Sequence, residues 1–196
     1  ENALRTVLGL GRPARIDPMQ IIAIQEPTLP IGTAMGNASI RFDAMTASAL
    51  AVISDRVIDG KPVIGYAFDS IGRYGSGALL KSRFLPRLLA AAPDALLDAK
   101  GIIDPDRCYR LVMTNEKGGG HGERSVAVGL LDAALWDLRA KLEEKPLWRA
   151  LADRYNRRDA SNRIPVYGTC GHFRAGEGLA HLSDEVGRAV DAGFTC

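Results

Sequence analysis

Residues 115–141 read Asn115-Glu-Lys-Gly-Gly-Gly-His-Gly-Glu-Arg-Ser-Val-Ala-Val-Gly-Leu-Leu-Asp-Ala-Ala-Leu-Trp-Asp-Leu-Arg-Ala-Lys141. A charged, glycine-dense loop runs here straight into the strongest helical pattern of the chain. Ser125 is suited to cap that helix, and Val128, Leu131, Leu135, Leu138 and Leu142 follow at spacings of three and four, which puts them on one face. Reactive side chains are thereby hung on a rigid element, and loops held in that way carry function. Pro146 ends the helix and opens a short one through Leu151, after which the polar stretch 153–162 marks a boundary.

Upstream of the loop the pattern is strand first, helix later. Met19 opens an apolar run with Ile21, Ile22 and Ile24 that breaks at Pro27 to Pro30, and a polar loop from Gly32 to Asn37 follows. Strand patterns over about 47–54 and 63–68 flank Asp59-Gly60, a pair that tolerates the positive φ of a tight hairpin turn. Three sequential strands with short links predict an antiparallel meander. After a loop over 69–76, Leu79, Leu80, Phe84, Leu88 and Leu89 recur at helical spacing, with Pro86 expected to kink the helix. A short helix is expected over 94–100, and Asp104-Pro105 sets a cap residue before proline for a third helix to about Met113. This is an α+β unit over 19–160.

Beyond the boundary, 164–169 is apolar and β-branched, 180–192 has helical spacing, and Phe194-Thr195-Cys196 reads as the opening of another strand. Strand, helix, strand is the repeat of a parallel α/β fold, whose sheet needs covering on both faces. Residues 161–196 therefore read as the start of a truncated parallel α/β unit, and the chain as a fragment of a longer polypeptide. Residues 1–18, basic and irregular with Pro13 and Pro18, read as an extra or disordered segment before a natural start at Met19. The Gly9-Leu-Gly11 pair has no preceding strand and no third glycine in register, so it is no dinucleotide fingerprint.

Composition narrows the partners. With 196 residues, 46% hydrophobic and 24% charged, the chain can bury a sizeable core. Its 25 basic residues nearly cancel its 23 acidic ones, which excludes a broad electrostatic footprint for nucleic acid or an anionic membrane. No apolar run approaches the roughly 20 residues of a membrane-spanning helix, and the start lacks the layout of a secretory signal, so a soluble, cytoplasmic protein is expected. Cys108, Cys170 and Cys196 are odd in number and widely spaced, against a disulfide framework and against zinc.

Several motifs in the central loop fail on inspection. Gly118-Gly-Gly120 lacks the Gly-Lys-Ser/Thr of a phosphate loop, and His121-Gly-Glu123 lacks the Pro-Cys-x-x-Cys partner of a zinc deaminase. What remains is Lys117, a point charge with three donors that suits a carboxylate, although by residue type alone a solvated loop lysine is the commoner reading. Arg73 and Tyr74 read as substrate contacts or surface turn residues, Asn37 as a turn residue, and His172 as a lone histidine just after a predicted strand, where barrel sites are built.

Residues 122–151, with Leu-Leu-Asp-Ala-Ala-Leu-Trp-Asp-Leu-Arg-Ala-Lys and then Lys-Pro-Leu-Trp-Arg-Ala-Leu, resemble the mandelate racemase and muconate lactonising branch of the enolase superfamily. More narrowly, Gly72-Arg-Tyr-Gly75, Asn115-Glu-Lys117 and Gly119-Gly-His-Gly-Glu-Arg-Ser-Val-Ala-Val-Gly129 resemble D-tartrate dehydratase-like enzymes. The resemblance runs over about 19–196 and implies an α+β capping domain followed by the start of a TIM-type barrel. It also implies a Mg²⁺-dependent enzyme in which a base removes the proton α to a carboxylate and a β-hydroxyl leaves as water.

By the same resemblance Asn37 and Lys117 match substrate contacts, His172 stands where the family has a tyrosine, and Ile71 replaces an asparagine that serves substrate. The last two departures put tartrate itself in question, because a site's polar groups carry much of its discrimination. The metal ligands and the catalytic base are expected beyond Cys196, so the chain alone is expected to show no turnover. The implied partner is a small hydroxy-acid or dicarboxylate, in a homo-oligomer. Racemisation or epimerisation of a hydroxy-acid, and a non-catalytic binding domain on the same fold, are the alternative readings.

Overall fold

Asp59 and Gly60 both adopt positive φ (51° and 73°), the requirement of a two-residue hairpin turn, and the fold is built outward from that hairpin. The computed structural model describes residues 17–32, 35–36, 39–69, 76–119, 122–157, 159–174 and 176–194. The segment 1–16 lies outside them. Strand β1 (Ile21–Gln25) is followed by β2 (Thr28–Pro30), β3 (Met35–Gly36), β4 (Thr46–Ile58) and β5 (Lys61–Phe68). Strand β4 pairs antiparallel with β1 on one side and with β5 on the other, giving the expected meander.

The strands of the hairpin run longer than the apolar pattern predicted, because the ladder continues to the turn itself, where Ile58 pairs with Lys61. The expected break at Pro27 to Pro30 is a kink instead. Strand β2 rejoins the same edge of β4, with Thr28 opposite Ser48 and Pro30 opposite Thr46. Proline is tolerated there because that edge of β2 is the sheet's outer one.

Alternation along β4 sends Ser48, Leu50, Val52 and Ser54 to the buried face, and on β5 Val63 and Gly65 do the same. Against this face lie the helices. The first, α1, starts as Ser76–Leu79, widens into a π turn over Leu80–Phe84 and ends as Leu85–Leu89. The widened turn stands just ahead of Pro86, whose ring excludes the regular i−4 bond. Helix α2 (Pro93–Leu96) is shorter than the 94–100 expected, because the Asp98 side chain accepts from the N–H groups of Lys100 and Ile102 and turns the chain. Helix α3 (Pro105–Val112) is capped by Asp104 through Arg107 N, as its sequence predicts.

Helix α4 (Glu123–Leu142) is the central rod. Its N-cap is Gly122 with φ 54°, not Ser125, which lies inside the first turn. Val128, Leu131, Leu135 and Leu138 are buried as expected, and so are Ala127, Leu130 and Ala134, because the sheet lies on one side of the helix and α1 and α3 on the other. Gly65 allows the close approach: a Cβ there would overlap the carbonyl of Ala134 and the side chain of Leu138. The free edge of β5 is closed by the same helix, since Tyr66 N donates to Asp137 Oδ2 at 2.9 Å and Lys141 Nζ to the carbonyl of Ile64 at 2.9 Å. Helix α5 (Leu147–Arg154) follows Pro146 and runs one turn beyond Leu151.

The strand expected over 164–169 is not formed. Ile164, Val166 and Tyr167 are exposed, and the described residues give the segment no neighbour to pair with, which an apolar run needs before it becomes a strand. The chain instead forms β6 (Phe173–Arg174), which pairs antiparallel with β3. Helix α6 (Leu179–Asp191) follows close to its predicted bounds, with no buried residue. Phe194 is outside any strand, and Thr195 and Cys196 lie outside the described residues. The result is an α+β unit whose core runs from Met19 and the sheet to Leu80, Phe84, Leu88, Ile103, Leu131 and Leu138. Among the described residues no helix is long and apolar enough to cross a membrane.

Candidate functional site

Lys117 sits on the loop between α3 and α4, exposed, with its ammonium unpartnered among the described residues. The backbone beneath it is fixed. Arg124, in the first turn of α4 and only 9% exposed in its side chain, donates from Nη1 to the Lys117 carbonyl at 2.8 Å and from Nη2 to the Gly119 carbonyl at 2.5 Å. The same Nη1 stands 3.3 Å from Glu116 Oε2. On its other oxygen Glu116 meets Arg87 at 2.8 Å and Arg83 at 3.5 Å, both from α1. Arg87, with Arg83 and Arg124, holds the Glu116 carboxyl below the usual glutamate range. Three guanidinium groups on one buried carboxylate leave this end of the fold rich in positive charge, and Lys117 adds to it.

A second anchor lies at the start of α1. Ser48 accepts from Asp69 N through its carbonyl at 2.9 Å and from Gly77 N through its hydroxyl at 3.1 Å. Both ends of the loop that carries Ile71, Arg73 and Tyr74 are therefore tied to one residue of β4. Around it, Ser48 N donates to Asp69 Oδ1 at 2.7 Å, the hydroxyls of Ser48 and Thr28 are 3.0 Å apart, and Thr28 donates to Glu26 Oε1 at 2.6 Å. Glu26, 1% exposed in its side chain, pairs with Lys81 of α1 at 2.6 Å. Gly77 has no room for a side chain, because a Cβ would overlap Glu26 and Thr28. Ile71, Arg73 and Tyr74 themselves lie outside the described residues.

The third element joins distant parts of the chain. Gly36, the residue before Asn37, pairs with Phe173, the residue after His172. Asn37 lies outside the described residues, yet this ladder brings the base of its loop to the segment of His172. The His172 ring is held by Glu185 of α6, with Nδ1 to Oε1 at 2.8 Å, and the N–H groups of Gly171 and His172 donate to Oε2 at 3.0 and 2.8 Å. Those bonds, the imidazole first, bring the Glu185 carboxyl down to about 2.

No model of a protein family matches the sequence. A solved structure does: a mandelate racemase/muconate lactonizing enzyme-like protein from Rubrobacter xylanophilus superposes with TM-score 0.57. The chain shares its fold. The likeness covers 91% of this chain at 23% identity and 43% of that protein, so this chain spans less than half of its neighbour's length. The α+β sheet-and-helix unit expected from the sequence is thus a fold with a solved counterpart.

Of the six residues singled out in the sequence, two, Lys117 and His172, are described, each on backbone that a buried or half-buried side chain fixes. Sequence reading missed the residues that do the fixing: Glu116, Arg124, Ser48, Asp69 and Glu185. Arg124 had a usable signal, as an arginine in the first turn of a helix, where the macrodipole disfavours a cation unless it has partners. Among the described residues no three His, Cys, Asp or Glu side chains stand close enough to hold a metal ion, so they do not fit a Mg²⁺ site.

Proposed function

We propose that this chain is the capping part, with the opening of a (β/α) barrel, of an enolase-superfamily enzyme of the mandelate racemase and muconate lactonising branch, acting as a D-tartrate dehydratase-like hydro-lyase on an acid sugar or related hydroxy-acid. One observation carries the reading: Lys117 presents an exposed ammonium from a loop whose carbonyls are locked by the buried Arg124. A point charge with three donors, held on fixed backbone, is suited to bind a substrate carboxylate. The fold likeness and the motif at 115–129 support the same choice.

The chain's own residues bind and orient; the step that removes a proton α to a carboxylate belongs to the rest of such an enzyme. Mg²⁺, where bound, would offset the charge of the resulting dianion. No cluster among the described residues fits it. Lys117 would neutralise a carboxylate, Asn37, Arg73 and Tyr74 would line the same mouth, and Ile71 would present an apolar wall where an amide would discriminate among hydroxyls.

The test is a screen of the intact polypeptide that contains this chain against acid sugars and hydroxy-dicarboxylates with Mg²⁺, reading 2-keto-acid formation. Water elimination from at least one such acid is expected. Exchange of the α-proton without elimination would replace dehydration by racemisation, and neither reaction on any acid would leave a binding domain.

A further inference from the structure

Register sorts the sheet into two faces. Ala47 lies opposite Leu29, Ala49 opposite Phe68, Ala51 opposite both Gln25 and Tyr66, and Ile53 opposite both Ala23 and Ile64. Alternation points all of these away from the face that carries Leu50, Val52 and Val63. The helices that pack on the sheet, α1 and α4, lie on that buried side. Among the described residues the outward face stays open, with Leu29, Tyr66 and Phe68 61%, 63% and 79% exposed. None of the side chains in these four rows is charged.

The open face has relief. Strand β4 gives it a floor of alanines, Ala47, Ala49 and Ala51, and beside that floor Ile64, Tyr66 and Phe68 of β5 stand as a ridge. Lys141 Nζ, 3.7 Å from the centre of the Tyr66 ring, braces the ridge from the edge. Strand addition is closed on that side, since Asp137 and Lys141 already take Tyr66 N and the Ile64 carbonyl. What is left for a partner is the face itself. From Ala47 to Val57 it runs about 33 Å, at about 3.3 Å per residue, and three strands make it roughly 14 Å wide. That is on the order of 500 Å² in outline, the size at which an uncovered apolar patch marks an interaction site and the centre of one side of a standard interface of about 800 Å².

From this relief we infer that two copies of the polypeptide associate face to face through this sheet, each laying Tyr66 and Phe68 over Ala51 and Ala49 of the other. The occupant is a second copy because trough and ridge run side by side on one patch, so the same surface supplies both halves of the contact, as a twofold interface requires. An axis parallel to the strands, above the line between β4 and β5, sets each ridge over the opposite floor. Two sheets packed in this aligned way stand about 10 Å apart, a gap that aromatic side chains fill against alanine and would overfill against each other. The assignment is independent of the hydroxy-acid reading.

Molar mass by light scattering and the self-association constant by analytical ultracentrifugation are measured on the intact polypeptide that contains this chain. The variants are Phe68→Ser, Ala51→Tyr, and Ala51→Tyr combined with Tyr66→Ala. The unaltered protein is expected to be a dimer or a larger even assembly. Phe68→Ser removes two ridge side chains from each twofold interface, and Ala51→Tyr fills two floors. Each should weaken the association by about 100-fold and halve the mass on dilution. The double variant exchanges ridge and floor within one row, so it should regain most of the lost association, which a merely damaged fold would not do. A monomeric unaltered protein would overturn the assignment. So would an unchanged association constant in both Phe68→Ser and Ala51→Tyr, including the case in which the melting temperature falls because the rest of the polypeptide covers the face. Should Ala51→Tyr fail to fold, Phe68→Ser, at the exposed end of β5, decides alone.

Discussion

Arg124 Nη1 donates to the carbonyl oxygen of Lys117 at 2.8 Å, across seven residues of sequence, while Nη2 of the same guanidinium reaches the carbonyl of Gly119. A glycine-dense loop would otherwise lose a great deal of backbone entropy on ordering. The planar fork holds two of its carbonyls at once, so the position of Lys117 is set by a buried side chain and not by the loop's own preferences.

Arg124→Lys keeps the charge and loses the fork. Amide exchange over residues 117–119 is expected to quicken, and KM for a carboxylate substrate to rise by roughly tenfold with a smaller change in kcat. Hydrogen-exchange mass spectrometry beside steady-state kinetics checks it; unchanged exchange would show that the loop holds itself.

Two carboxylates are expected to respond to pH with opposite sign. Glu116, held below its ordinary value of 4.5 by Arg87 and its companions, contributes stability that is present above that value and is lost as pH falls through its lowered folded value. Asp132, half-buried beside Tyr109, Val112 and Leu135 and raised from 3.8 to about 6 by that burial and by Asp106, works the other way. Its cost is absent below 3.8, grows towards about 6 and is complete above it. Glu116→Gln should therefore destabilise the protein near neutral pH and much less in acid. Asp132→Asn should stabilise it near neutral pH by about 1 kcal/mol, after discounting for solvent screening, and do nothing below pH 3.8. Denaturant titrations of both variants at the two pH values decide.

Gly65→Ala is expected to cost about 3 kcal/mol, because its Cβ would meet the backbone of α4 at Ala134 and the side chain of Leu138, neither of which can yield without lifting the helix off the sheet. A chemical-denaturation midpoint equal to that of the unaltered protein would contradict the close packing of α4 on β5.

Much of the fold was legible in the sequence because its signals are local. The period of Val128, Leu131, Leu135 and Leu138, the Asp59-Gly60 turn and the Asp104 cap each need only neighbours within a few residues, and each is present. The strand expected over 164–169 failed for the opposite reason: residue types favour extension there, but a strand exists only through a partner. The candidate site was legible only as residue types and places. Lys117 and His172 stand out by type and place, whereas Glu116 with Arg83 and Arg87, Ser48 with Asp69 and Gly77, and His172 with Glu185 are pairings across 13 to 33 residues that no local period records.

Binding of a substrate carboxylate by Lys117 from its locked loop is read from kcat/KM of the intact polypeptide for its best hydroxy-dicarboxylate, measured with Mg²⁺ on the unaltered protein and on Lys117→Ala. A loss of about 2 kcal/mol or more, roughly 30-fold, is predicted for removal of a charge that a bound carboxylate would otherwise meet. Equal values of kcat/KM for the two proteins would make Lys117 a solvated loop lysine with no role in binding.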